Sequence, residues 1–333
     1  MKLVKFALAL FAPIALLQAC SAPQPAAPAG EAKQESAGSP AAAGKPEIAV
    51  VPKGLAHQFW LTVKAGADGA GAELGADILW QGPAKETEIE KQISIINDMI
   101  TRGVDGIVMA ACDENALVPT IEKAIAAGIK VVTIDSGVKS DAPLSFVATD
   151  NVAAAKAAAD TLAKLIGGPG KVGLIPFVPG AATSELREQG FKEGVAANPG
   201  LELVATLYCH SDVAKAMDAA RDMMTAQPDL KGIFAANEAA AIGAAQAIRT
   251  AGKQGQVFLV AFDAAEEEVA ALKEGVIQAL IVQNPYNMGY LGVKTAMDAI
   301  AGKPVEKRVD TGVVVVTKDN LDTPEVQKLI NPL

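Results

Sequence analysis

From Glu47 onward, short runs rich in β-branched residues alternate with stretches whose apolar residues recur at helical spacing, and this alternation restricts the chain to one broad architecture. Strand candidates lie at 48–52 (IAVVP), 77–81, 105–111 (DGIVMAA), 130–135 (KVVTID), 171–178, 201–208, 231–236, 256–262, 277–282 and 311–317. Their apolar character is nearly continuous, as a strand requires when helices cover both faces of a parallel sheet. Between them lie helical patterns such as 86–102, where Ile89, Ile93, Ile96 and Ile100 repeat on one face. Such units build parallel sheets through right-handed crossovers, so the expected fold class is α/β. Ten strands exceed one comfortable open sheet and predict two sheets in two domains.

The segment before Glu47 has a different character. Lys2 and Lys5 lead into an apolar run at 6–17, too short and too interrupted by Pro13 to span a bilayer as a helix of about 20 residues. The run ends Leu17-Gln18-Ala19-Cys20, which looks like a bacterial lipobox. Residues 1–20 are therefore expected to be a lipoprotein signal peptide, with Cys20 acylated as the new N-terminus. Residues 21–46 hold mostly Ala, Pro, Gly and Ser with no large apolar side chain, so they are predicted to form a disordered tether. The expected location is extracytoplasmic, lipid-anchored to a bacterial cell membrane and exposed to the periplasm or the outer surface.

Several function classes are disfavoured. The formal net charge is −9 and the basic residues are scattered, so no nucleic-acid surface is expected. Gly69, Gly71 and Gly75 have the wrong spacing for a dinucleotide fingerprint and fall inside a helical pattern. Gly167-Gly168-Pro169-Gly170-Lys171 lacks the hydroxyl residue of a P-loop and precedes a strand. The two histidines have no metal-ligand spacing, and no Gly-x-Ser-x-Gly elbow occurs. No cofactor and no metal are expected, and Cys112 and Cys209 are expected to be buried free thiols.

Ligands of doubly wound sheets sit beyond the carboxyl ends of the strands. There the chain places Lys53 to Trp60, Asp135-Ser136, Asn237-Glu238, Asp263 and Gln283-Asn284, with Arg187 at the start of the helix after 171–178. Aromatic rings, carboxylates, amides and one guanidinium together suit a neutral polyhydroxylated ligand. Its apolar faces stack on Phe59 and Trp60, and its hydroxyls donate to carboxylates and accept from Arg or an amide.

At these residues the chain resembles the ribose-binding-protein-like solute receptors of ABC sugar importers. The markers are AHQFW followed by VKAG, the VVTID strand end, FVATDN at 146–151, TSELREQGFKEG, GIFAANE at 232–238, LVAFDA at 259–264 and VQNPYNMGYLGVKT at 282–295. The resemblance implies the type I periplasmic binding protein fold, in which two Rossmann-like lobes, each a parallel sheet flanked by helices, are joined by a three-strand hinge. The crossovers would fall near Thr149-Asp150, Gln283-Asn284 and Thr311-Gly312. The N-terminal lobe would then be 47–149 plus 284–311 and the C-terminal lobe 150–283 plus 312–333.

It also implies ring stacking by Phe59 and Trp60 and hydroxyl binding by Asp135, Arg187, Asn237, Asp263 and Gln283. His57 stands where ribose receptors have asparagine, and Ser136 where an arginine usually follows the aspartate; both are kept as candidate ligand residues. Loss of that arginine is expected to remove a donor and leave Asp135 without its neighbouring cation. The implied function is a monomeric receptor that delivers a monosaccharide or polyol to ABC permease subunits, not an enzyme. Two alternatives are a sensor presenting sugar to a chemotaxis or kinase receptor and a secreted sugar-modifying enzyme using Asp135 and Asp263.

Overall fold

The structure is a computed structural model and describes residues 44–332. The expected signal peptide, Cys20 and most of the expected tether lie outside the described residues. The chain first lays down β1 (Glu47–Val51), α1 (Gln58–Leu74), β2 (Asp77–Trp80), α2 (Ile89–Arg102), β3 (Gly106–Met109), α3 (Val118–Ala126), β4 (Lys130–Ile134) and β5 (Ser145–Ala148). It continues through α4 (Asn151–Ile166), β6 (Gly170–Ile175), α5 (Ala182–Ala197), β7 (Leu201–Thr206), α6 (Val213–Ala226), β8 (Leu230–Ala235), α7 (Glu238–Thr250), β9 (Phe258–Phe262), α8 (Glu266–Glu274) and β10 (Ala279–Val282). α9 (Pro285–Ile300), β11 (Arg308–Asp310), β12 (Val314–Val316) and α10 (Pro324–Ile330) complete it.

Two six-stranded sheets repeat one plan, β2-β1-β3-β4-β5-β11 and β7-β6-β8-β9-β10-β12. In each, strand order reverses beside the first strand, which opens a crevice at the carboxyl ends. All pairings are parallel except β12 against β10, which is antiparallel and departs from the all-parallel expectation. The chain passes between the sheets three times: from β5 into α4, which packs on β8, β9 and β10; from β10 into α9, which packs on β3 and β4; and from β11 into β12. Two local expectations fail. Residues 145–148 and 308–310 form additional strands, and the strand expected at 311–317 is confined to 314–316, because Gly312 turns at φ 75° between β11 and β12.

The cores follow from composition. The second lobe encloses one continuous cluster that includes Ala154, Ala158, Phe191, Phe234 and Phe262. The first sheet separates two clusters, one under α1 and α9 and one under α2 and α3. α1 and α9 approach until their backbones touch: a Cβ at Gly66 would lie 1.9 Å from the Tyr286 carbonyl, and one at Gly289 would lie 2.0 Å from that of Val63. Only glycine permits this crossing. On α2 the buried stripe is Gln92, Ile95, Ile96 and Met99, with Ile89, Ile93 and Ile100 at its margins. Gln92 Nε2 donates to the Pro52 and Ala110 carbonyls at 3.0 and 2.8 Å, and its Oε1 accepts from the Cys112 amide at 2.9 Å. This buried amide ties the exits of β1 and β3 and so fixes the loop that carries Lys53. Cys112 and Cys209 are buried free thiols.

Candidate ligand-binding cleft

The carboxyl ends of the two sheets face each other, and their loops line a small cavity. His57, Phe59, Trp60, Asp135, Arg187, Asn237, Asp263 and Gln283 all line it. Ser136 does not. Its carbonyl accepts from the Ala111 amide at 2.9 Å, and its hydroxyl is enclosed without a partner. Four further residues line the cavity: Lys53, Glu86, Phe177 and Glu238.

Lys53 corrects the expectation that Asp135 lacks a neighbouring cation. It leaves the end of β1 with 3% exposure, and its ammonium lies 3.0 Å from Asp135 Oδ2 and donates to Thr183 Oγ1 across the cleft at 2.9 Å. At this distance the ammonium, which rotates freely about its Cε–Nζ bond, is both ion-pair partner and donor to Asp135. The ammonium also sits 5.7 Å from the Trp60 ring centre and 5.1 Å from that of Phe177, within cation–π range. Burial alone would lower the lysine pKa, but the charges of Asp135 and Glu86 outweigh it and raise it.

Glu86 organises the other wall. Its Oε1 accepts from the Trp60 indole N–H at 2.9 Å, and its Oε2 accepts from the Ser211 hydroxyl of the opposite lobe at 2.6 Å. Burial opposes its charge, yet Lys53, His57 and Ser211 hold this carboxyl well below the usual range. His57 Nδ1 lies 3.6 Å away. Burial disfavours the imidazolium, but Glu86 first, then Glu238 and Asp263, raise its pKa to about 9. Trp60 is 1% exposed and meets Phe59 edge-on at 4.9 Å.

On the second lobe, the Arg187 guanidinium stacks 3.7 Å from the Phe262 ring centre and donates to Asn151 Oδ1 and the Ala236 carbonyl, both at 2.7 Å. It pairs with neither Glu185 nor Glu188. Guanidinium carries five N–H donors, so two bonds leave donors for a ligand. Asn237 caps α7 by accepting from Ala240, and its amide donates to Ser211 Oγ at 3.0 Å. Asp263 Oδ1 accepts from Gln283 Nε2 at 2.7 Å, and Oδ2 accepts from the Glu238 amide at 3.0 Å. Gln283 Oε1 is left buried without a donor. Burial pushes the Asp263 and Glu238 carboxyls up. Asp135 and Asp263 adopt φ of 53° and 84°, a left-handed backbone that non-glycine residues seldom take and that concentrates at functional sites.

The arrangement can bind and orient hydroxyls. It offers an unfilled acceptor at Gln283, unused donors on Arg187, the Lys53–Asp135 ion pair and aromatic walls. No group of three or more His, Cys, Asp or Glu among the described residues is placed to hold a metal ion. Sequence reading placed Lys53 and Glu238 at strand exits without assigning them to the ligand, and passed over Glu86 and Phe177. Lys53 and Phe177 both directly follow a strand exit and carried that signal, whereas Glu86 lies in the loop after β2 with no local mark.

Comparisons with known proteins agree with this geometry. Residues 48–304 match the family described as periplasmic binding protein domain. The chain is 34% identical over 278 residues to the D-ribose/D-allose-binding protein of Pseudomonas aeruginosa, covering 81% of this chain and 86% of that one. It is 30% identical to the ribose import binding protein of Escherichia coli, covering 83% and 92%. Among solved structures, a carbohydrate transporter solute-binding protein from Agrobacterium radiobacter in complex with D-arabinose superposes with a TM-score of 0.85 at 35% identity, covering 87% of this chain and 100% of that one. An ABC transporter solute-binding protein from Agrobacterium vitis with bound D-fucose gives 0.83 at 41% identity, covering 85% and 99%. With its two sheets, three crossings and interlobe cavity, the chain belongs to the periplasmic binding protein family.

Proposed function

We propose that this chain is the extracytoplasmic receptor of an ABC importer and binds one monosaccharide or cyclic polyol without turnover. The observation that carries this reading is the cavity's hydrogen-bonding balance: a buried acceptor without a donor at Gln283 and the carboxylate of Asp135 stand opposite spare donors on Arg187. A hydroxyl both donates and accepts, so one polyol satisfies both sets. Relatives named for ribose, allose and xylitol, and neighbours solved with arabinose, fucose and tagatopyranose, support the ligand class. In this reading 47–149 plus 284–311 and 150–283 plus 312–333 are the lobes that close on the sugar. His57, Phe59, Trp60, Asp135, Arg187, Asn237, Asp263 and Gln283 contact it together with Lys53, which supplies the cation that Ser136 does not. The lipobox at Cys20 would hold the receptor on the membrane beside its permease.

A thermal-shift screen over aldoses, ketoses and polyols tests the reading. Ligand at 100 times its Kd stabilises by about 2.7 kcal/mol. A shift in the wild type that Arg187→Ala and Asp263→Ala abolish, while both variants keep native circular dichroism, is the expected result. Undiminished shifts in both variants would place the ligand elsewhere.

A further inference from the structure

Two helices that meet across the cleft leave first-turn amides without an acceptor of their own; at α8, Glu268 Oε2 accepts only from the amide of the preceding Ala265, at 2.7 Å. α1 starts after His57, whose side chain makes no capping bond, and α8 starts after Ala265, which has no polar side chain. Ser, Thr, Asp or Asn at such positions normally satisfies a free backbone N–H of the first turn. Here the opposite lobe supplies the acceptors. The two carboxylate oxygens of Glu238, the first residue of α7, accept from the backbone amides of Gln58 and Phe59, each at 3.0 Å. In return, Gln58 Oε1 accepts from the amide of Glu266, the first residue of α8, at 2.9 Å. Gln58 thus gives a backbone donor to the second lobe and takes a donor from it, so the two caps share one residue. Glu238 is 7% exposed, which shields its interaction with the positive end of α1 from solvent.

We propose that Gln58 and Glu238 are positioning residues for ligand binding: a reciprocal pair of helix caps that forms only as the lobes meet and orders the first turn of α1. That turn carries Phe59 and Trp60 and follows His57, so closure of the lobes and assembly of the aromatic wall become one event. The open form leaves the first amides of both α1 and α8 to water. A change in the caps alters the population of the closed form, and apparent affinity scales with that population by the same factor for every ligand.

Amide hydrogen exchange on the full chain without added ligand tests the caps independently of any sugar. Glu238→Ala is expected to speed exchange at Gln58 and Phe59 and also at Glu266, which Glu238 does not touch, each on the order of tenfold for a lost cap. Gln58→Ala is expected to speed exchange at Glu266 and also at Phe59, whose acceptor it leaves intact. Glu238→Gln keeps one carbonyl acceptor and should fall between wild type and Glu238→Ala. If each substitution affects only the amides bonded directly to the altered side chain, or if wild type exchanges as fast as the variants, the proposal is overturned.

A second arm rests on the receptor reading and uses D-ribose, D-allose and D-arabinose as probes. Glu238→Ala should weaken every probe that wild type binds by a common factor and leave their ranking intact; a changed ranking would make Glu238 a ligand contact instead. Failure of all probes on the wild type would count against sugar binding, and the exchange result would still decide the caps.

Discussion

Lys53→Met removes the cation paired with Asp135 in the cavity while keeping nearly the same side-chain length. In the native protein the ammonium sits 3.0 Å from Asp135 and is the largest influence holding Glu86 ionised. Without it, Asp135 Oδ2 has neither an ion pair nor a hydrogen bond, and Glu86 keeps only His57, Trp60 and Ser211. Removing one partner of a buried ion pair destabilises by about 3–5 kcal/mol, because the remaining charge stays desolvated. At roughly 2–4 °C per kcal/mol in a domain of this size, the melting temperature should fall by about 6–20 °C. The decisive comparison is the double variant Lys53→Met/Asp135→Asn, followed by thermal and urea unfolding at pH 7. Asparagine tolerates the left-handed backbone at 135 and carries no charge, so the double variant should recover most of the loss. A single variant as stable as wild type, or a double variant no better than the single, would refute the claim that Lys53 balances Asp135.

Other consequences are as direct. Burial raises the Glu268 pKa well above its ordinary value, and its Oε1 has no partner. The native state therefore holds a proton that the unfolded chain releases above about pH 4.5, and stability is lost as pH rises from there towards the native pKa. Glu268→Gln should stabilise by at least about 1 kcal/mol at pH 7 and by nothing at pH 4, read from melts at both; equal effects at the two would contradict the buried acid. The His57 pKa is raised from 6.5 to about 9, so its contribution is fully present below pH 6.5 and disappears as pH climbs through about 9. Urea titrations of wild type and His57→Gln should converge by about 3 kcal/mol between pH 6 and pH 10, and parallel profiles would rule this out. Gly289→Ala drives a Cβ to 2.0 Å from the Val63 carbonyl and should cost about 1–3 kcal/mol or more, whereas Gly168→Ala, with nothing within 4 Å, should be neutral or slightly stabilising. Equal melting temperatures for the two variants would contradict the backbone contact between α1 and α9.

The α/β plan was legible because both faces of each central strand are covered, which leaves a nearly continuous apolar run that periodicity detects. Short edge elements were not. β5 is four residues following Pro143, and β11 is three residues at a sheet edge, two of them charged, so only the apolar run 313–316 after the Gly312 turn marked a strand there. Asp135 and Asp263 were readable because they end strands that point at the crevice. Ser136 was misjudged because adjacency in sequence to Asp135 does not bring its side chain to the cavity; backbone pairing with Ala111 turns it into the protein. Lys53 and Glu86 act as a charge-balanced set drawn from the loops after β1 and β2, and no local pattern joins residues 33 positions apart. The same holds for Glu238 reaching the start of α1, a contact that exists only in three dimensions.

On the proposed reading, the cleft binds one sugar and leaves it chemically unchanged. Titration calorimetry of the wild-type protein with ribose, allose, arabinose, fucose, tagatose and xylitol, followed by chromatography of the recovered ligand, tests this most directly. The prediction is saturable one-to-one binding of at least one of them with Kd at or below about 1 μM, equivalent to roughly 8 kcal/mol, and chemically unchanged ligand after incubation. No heat from any of them, or conversion of one into a product, would contradict it.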